Sequence, residues 1–155
     1  MRLTTIAALL LTSALAAPTQ AILAQGGSDS GIKWGPAPAV FPAGAQMAVM
    51  QGDPSGTGLF TVRLRLPDGY KIQPHTHPTD EHVTVVSGSF AVGMGKSFDA
   101  SKMMTLDAGG FVTAPAHEAH FAMAHGVTVV QVHAIGPFAM TYVNPADTPK
   151  SSTQR

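Results

Sequence analysis

Apolar and polar positions alternate in short runs along most of this chain, and turn residues close each run. Residues 45–51, 58–66, 82–87, 90–94, 111–113, 120–124, 127–135 and 138–143 follow this pattern. A period of two is the signature of half-buried strands, because successive side chains leave an extended backbone on opposite faces. Past residue 30 no stretch carries a helical stripe, although 99–106 has room for one turn. Many short strands separated by turn chemistry predict an all-β jelly roll or small barrel. The segment 52–58, Gly-Asp-Pro-Ser-Gly-Thr-Gly, lacks the lysine and the following helix of a phosphate loop and is expected to be a hairpin connection.

The ends of the chain break the pattern. Met1 and Arg2 give a short positive start, 3–17 is apolar, and Ala14-Leu15-Ala16 and Thr19-Gln20-Ala21 offer small-residue cleavage sites. Such a run is shorter than the roughly 20 residues that a spanning helix needs, so residues 1–24 are expected to be a cleaved secretory leader rather than a membrane anchor. A periplasmic or secreted location follows. Residues 25–42, rich in Gly, Ser, Pro and Ala, are expected to form a flexible N-terminal arm in which Trp34 docks on the barrel. The barrel itself is expected over 43–146, with a disordered tail over 147–155. About 130 residues remain after the leader, enough for one modest core and too few for a second domain.

Composition narrows the classes of function. Net charge is zero and only 12% of residues are charged, so no basic surface invites nucleic acid. The chain has no cysteine, which excludes disulfides and zinc–thiolate sites alike. Clustered histidines with eight methionines in an exported chain raise the question of copper; adaptable packing is the plainer role for methionines inside apolar runs. Arg63 and Arg65 share a strand face and could grip a carboxylate, although solvated strand positions are the ordinary fate of such a pair.

Four residues carry the chemistry. His75 and His77, two apart on an extended strand, share a face with Cα atoms about 6.5–7 Å apart, so both rings can converge on one ion. Pro78-Thr79-Asp80 is turn chemistry that brings Glu81 back toward the same place, with His82 on the opposite face. A register shifted by one residue would exchange Glu81 for His82. Downstream, Gly109, Pro115, His117 and His120 precede another apolar strand.

These two blocks resemble the motifs of the cupin superfamily. The first motif, glycine, five residues, His-x-His, three residues, glutamate, six residues and glycine, is met in full by Gly69, His75, His77, Glu81 and Gly88. The second is met through Gly109, Pro115 and His120, with His117 where the family has glycine and Ala124 where it has asparagine. The resemblance implies a double-stranded β-helix, the jelly-roll barrel of the cupins. It also implies one divalent transition metal (iron, manganese, nickel, cobalt, zinc or copper) on His75, His77, Glu81 and His120, and barrels that often pair as homodimers. Small cupins include dioxygenases, isomerases, decarboxylases and non-catalytic binding modules, so a small-molecule substrate or ligand is expected.

Three further residues are candidates for proton transfer or for tuning the site. His117 lies on the expected loop rim. Gln131 and His133 alternate with Val129 on one strand face, while Thr128, Val130 and Val132 occupy the other. Should the first face look inward, Gln131 and His133 would line the cavity; should it look outward, they are surface residues. His125, beside Gly126, is expected at an exposed hairpin tip. Ala122 and Ala124 alternate with His120 and would leave open volume beside the metal.

Overall fold

The computed structural model describes residues 31–150. Alternation builds the barrel from its longest strands. In β3 (Leu59–Leu66), Phe60, Val62, Leu64 and Leu66 are buried while Thr61, Arg63 and Arg65 face outward. Each such side chain removed from water contributes about 1.5–3 kcal/mol.

Before β3 come β1 (Gly35–Pro36) and β2 (Gln46–Gln51), and residues 52–58 link β2 to β3 as the expected hairpin connection. After it come β4 (Lys71–Thr76), β5 (Glu81–Met94), β6 (Met104–Asp107), β7 (Phe111–Ala114), β8 (His120–Ile135) and β9 (Thr141–Tyr142). A short 3-10 turn, Ala100–Lys102, is capped by Asp99, whose carboxylate accepts from the Ser101 N–H. Among the described residues no helix is long and apolar enough to cross a membrane.

Among the described residues every pairing is antiparallel. Two sheets share the long strands β5 and β8. The C-terminal half of β8 lies between β3 and the first half of β5, extending outward to β2, β1 and β7. The N-terminal half of β8 lies between β4 and the second half of β5, extending to β9 and β6. The inner faces meet around Phe60, Val62, Leu64, Val85, Val130 and Val132. This is the expected double-stranded β-helix.

One expectation is corrected. Residues 82–87 and 90–94 form one strand rather than two, as do 120–124 and 127–135. Gly88 (φ 80°) and Gly126 (φ 70°) are bends in a continuous ribbon, and Gly126 is not the expected hairpin tip. The pairing slips between Val85 and Ser87 and again between Ser87 and Ser89, so the two strands turn together from one sheet into the other. The Thr128 hydroxyl locks the bend, donating to the Ser89 carbonyl at 2.9 Å and accepting from the Ser89 N–H at 3.2 Å.

Part of the expected arm, 31–42, is described, and it packs on the barrel. β1 pairs with the edge of β2, the Arg65 guanidinium lies 4.2 Å from the Trp34 ring centroid, and Phe41 is buried. Tyr142 donates its hydroxyl to the Val40 carbonyl at 2.9 Å, and Tyr70 donates to that of Pro42. The expected leader, 1–24, and residues 25–30 lie outside the described residues. The expected tail begins where the turn Pro145–Asp147 ends, and 151–155 lie outside the described residues.

The tyrosine clamp has a pH consequence. Burial, with Asp147 nearby, pushes the Tyr142 phenol up to about 12, and burial also raises Tyr70. In the unfolded chain both ionise near the usual 10. Their contribution is therefore complete below pH 10 and is lost as pH rises toward 12. The melting temperature is expected to fall between about pH 10 and about pH 12, and to fall less steeply in Tyr142→Phe. Equal slopes for the two proteins would show that the clamp does not stabilise the fold.

Candidate metal centre

β4 ends at Thr76, so His75 is its penultimate residue and His77 lies just beyond it. His75 pairs with His120 across β4 and β8, which puts the start of the second motif directly opposite the first. The turn at 78–80 then starts β5 at Glu81. Alternation sends Glu81 into the barrel and His82 out of it. His75, His77 and His120 are 2%, 4% and 3% exposed, and Glu81 is buried with them.

A ring nitrogen from each of the three histidines lies within 4.8 Å of the other two. Ring centroids stand 4.9 Å apart for His75 and His77, 4.3 Å for His75 and His120, and 5.2 Å for His77 and His120. The Glu81 Oε2 is 3.5 Å from the His77 Nε2 and 3.4 Å from the His120 Nε2. Those separations exceed the 2.7–2.9 Å typical of a charge-assisted hydrogen bond. Both Nε2 atoms are buried without a hydrogen-bond partner.

Backbone carbonyls set the tautomers. The Nδ1–H groups donate to the carbonyls of Gln73 (2.8 Å, from His75), Ala139 (2.7 Å, from His77) and Glu118 (3.0 Å, from His120). A carbonyl only accepts, so each neutral ring turns an Nε2 lone pair away from its anchor, as metal-ligating histidines do. Burial, with His120 and His77 beside it, pushes His75 down to about 3, keeping it neutral. Burial alone would lift Glu81, but the hydrogen bond and positive charge that His120 and His77 bring when protonated outweigh it and hold the carboxyl below its usual range. For His120 the order is reversed: burial lowers it, and the Glu81 carboxylate brings the net shift upward. Buried lone pairs and one carboxylate, with no donor among them, suit a cation. The donor set fits one divalent transition metal ion.

Two short bonds hold the motifs together. The Asp80 carboxylate accepts from the Ala116 N–H at 2.8 Å, and the His117 N–H donates to the His77 carbonyl at 2.8 Å. His117 has φ 64°, a left-handed conformation that favours glycine, at the position where the cupin motif has glycine. Asp80→Ala is expected to weaken metal binding about tenfold, with Asp80→Asn partly spared because its amide oxygen still accepts. Competition with a chromophoric chelator reads this directly. Wild-type affinity in Asp80→Ala would show that the loop needs no pin.

Beside His75, Glu81 and His120 lies a cavity of about 30 Å³. Apolar side chains form the rest of its wall, among them Leu64, Ile72, Val92 and Ala122, and Phe41 and Met140 also line it. At roughly 10–15 Å³ per water it has room for two waters or a diatomic molecule.

The three candidates for proton transfer do not line this cavity. Val130 and Val132 occupy the inward face of β8, so Gln131 and His133 look outward, where the Arg63 Nε donates to the Gln131 Oε1 at 3.2 Å. The outward face carries apolar Val129, so polarity did not distinguish the two faces. His117 is exposed on the rim and does not line the cavity. His125 is exposed at the Gly126 bend. The carbonyls that set the tautomers were invisible to sequence reasoning, because backbone groups leave no residue signature. Asp80 was legible only as a turn residue.

The bent two-sheet barrel, with His-x-His, glutamate and a distant histidine converging inside it, has the fold of the solved cupins to which it is similar. Residues 22–141 match the family described as a domain of unknown function, DUF4437, and the chain belongs to that family. No curated protein sequence matches it. Among solved structures it is similar to the polyketide cyclase RemF from Streptomyces resistomycificus, with a TM-score of 0.64, 15% identity, and coverage of 82% of this chain and 90% of that one. A proposed acetylacetone dioxygenase from Methylibium petroleiphilum gives 0.60 and 19%, over 87% and 91% of the two chains. An RmlC-like cupin from Shewanella frigidimarina gives 0.54 and 16%, over 70% and 86%. These likenesses define the fold.

Proposed function

We propose that this chain is an exported, metal-dependent cupin enzyme acting on a small oxygenated molecule. His75, His77, Glu81 and His120 hold one divalent transition ion. The observation that carries this reading is the set of three buried imidazoles, each tied through Nδ1 to a carbonyl, gathered around one carboxylate at the wall of an apolar cavity. When bound, the ion supplies Lewis-acid polarisation of a substrate oxygen or, as iron or manganese, oxygen chemistry. The protein holds the ligand tautomers and excludes water. Glu81 is the carboxylate of the cavity wall, and the apolar remainder suits a compact substrate whose oxygens lie at one end. Export rests on the charged, apolar and small-residue order of the first two dozen positions.

A specific observation favours a second reading, a metal-binding barrel without turnover: about 30 Å³ is too little for an organic substrate unless Phe41 or Met140 moves. Oxygen uptake over a panel of catechols, flavonols and diketones, with the iron, manganese and nickel forms, separates the two. Uptake or conversion with one class of substrate is expected. Bound metal with no consumption anywhere in the panel would overturn the enzyme reading and leave the binding one.

A further inference from the structure

The outer wall of the barrel carries a second pair of histidines. His82 on β5 and His133 on β8 are direct cross-strand partners, with ring centroids 5.5 Å apart and planes at 41°. Both are half-buried and open to solvent, on the side opposite Glu81 and Val132. The surroundings hold one ring in place. The His82 Nδ1 lies 3.0 Å from the Thr113 Oγ1, and Phe111 stacks on the same ring at 6.2 Å and 12°. With Nδ1–H donating to that hydroxyl, the His82 Nε2 keeps a free lone pair. Among the described residues, neither His133 nitrogen has a hydrogen-bond partner.

We propose that His82 and His133 form a second site for a transition-metal cation, on the outside of the barrel and independent of the inner cluster. Metal–nitrogen bonds of about 2.0–2.1 Å hold the centroids of two ligating imidazoles about 5 Å apart, and the outer pair is already near that separation. Imidazole donors without thiolate or carboxylate suit zinc, nickel or copper in the divalent state, with water completing the coordination. An orienting partner on the second ring nitrogen is what such ligands use, and Thr113 supplies it to His82. An ion here clips β5 to β8, the strands that carry Glu81 and His120 inside.

The test is equilibrium dialysis of the full chain, stripped of metal, against Zn(II) and, separately, Ni(II). Wild type is expected to hold one ion more than His133→Gln, and likewise one more than His82→Gln, whatever the inner site does. His120→Ala, lacking the inner site, is expected to keep an ion that is lost when His133→Gln is added. Thr113→Val weakens the outer site about tenfold. His125→Gln, which removes a lone exposed ring, changes nothing. Equal stoichiometry in wild type and His133→Gln, or the same loss in His125→Gln, would overturn the proposal. Should His120→Ala fail to fold, the wild-type and His133→Gln pair still decides.

Discussion

His120→Ala is expected to lower metal affinity by more than about 100-fold, beyond what loss of an orienting partner costs, while His125→Ala keeps wild-type affinity. His120 is the ligand that the second motif contributes, and its backbone partner across the sheet is His75. Removing it leaves the His77 Nε2 and Glu81 with an incomplete set and lets water reach the buried carboxylate. The effect also shows in stability. An ion that binds only the folded chain stabilises it by about 2.7 kcal/mol at a hundred times its dissociation constant. Thermal unfolding with and without added metal should therefore show a rise for wild type and for His125→Ala, and a much smaller one for His120→Ala. Equal metal-dependent shifts in all three proteins would place the ion elsewhere.

Gly88→Ala is expected to destabilise the fold by about 2–4 kcal/mol, in a chain whose net stability is of the usual small size. A Cβ at this position would stand 2.6 Å from the Thr128 Oγ1, 2.7 Å from the Val127 carbonyl oxygen and 2.8 Å from the Thr128 Cα. Two of those atoms belong to backbone that cannot swing away, and φ 80° adds the cost of a left-handed residue. Gly126 offers the matched control. Its φ is 70° but a Cβ there meets nothing within 4 Å, so Gly126→Ala should cost only the conformational part, about 1–2 kcal/mol. Denaturant titrations measure both. Equal losses would show that close packing at the bend contributes nothing beyond backbone conformation.

Much of this was legible in the sequence for physical reasons. His75, His77 and Glu81 sit within seven residues, so strand alternation and one turn suffice to bring them together. Gly88 was legible as a motif glycine, but its role was not. A Ser-Gly or His-Gly pair has the same local chemistry at a hairpin tip and at a bend in a paired ribbon. Only the long-range pairing of β5 with β8 decides between them. The direction of Gln131 and His133 was hidden for a related reason. Val129 on one face and Thr128 on the other leave both faces of that strand with mixed polarity, and a one-residue choice moves every side chain. The tautomers of the three inner histidines depend on the carbonyls of Gln73, Glu118 and Ala139, whose placement comes from the fold and not from side-chain identity.

The most direct measurement is X-ray absorption at the edge of the metal in protein purified with its ion and confirmed to hold one equivalent, recorded on His133→Gln so that only the inner cluster contributes. Three imidazole nitrogens and a carboxylate oxygen in the first coordination shell are the expected result, with one imidazole contribution lost in the His120→Ala, His133→Gln double variant. A shell with fewer than two imidazoles, or one that His120→Ala leaves unchanged, would contradict the assignment of His75, His77, Glu81 and His120 as a single metal centre.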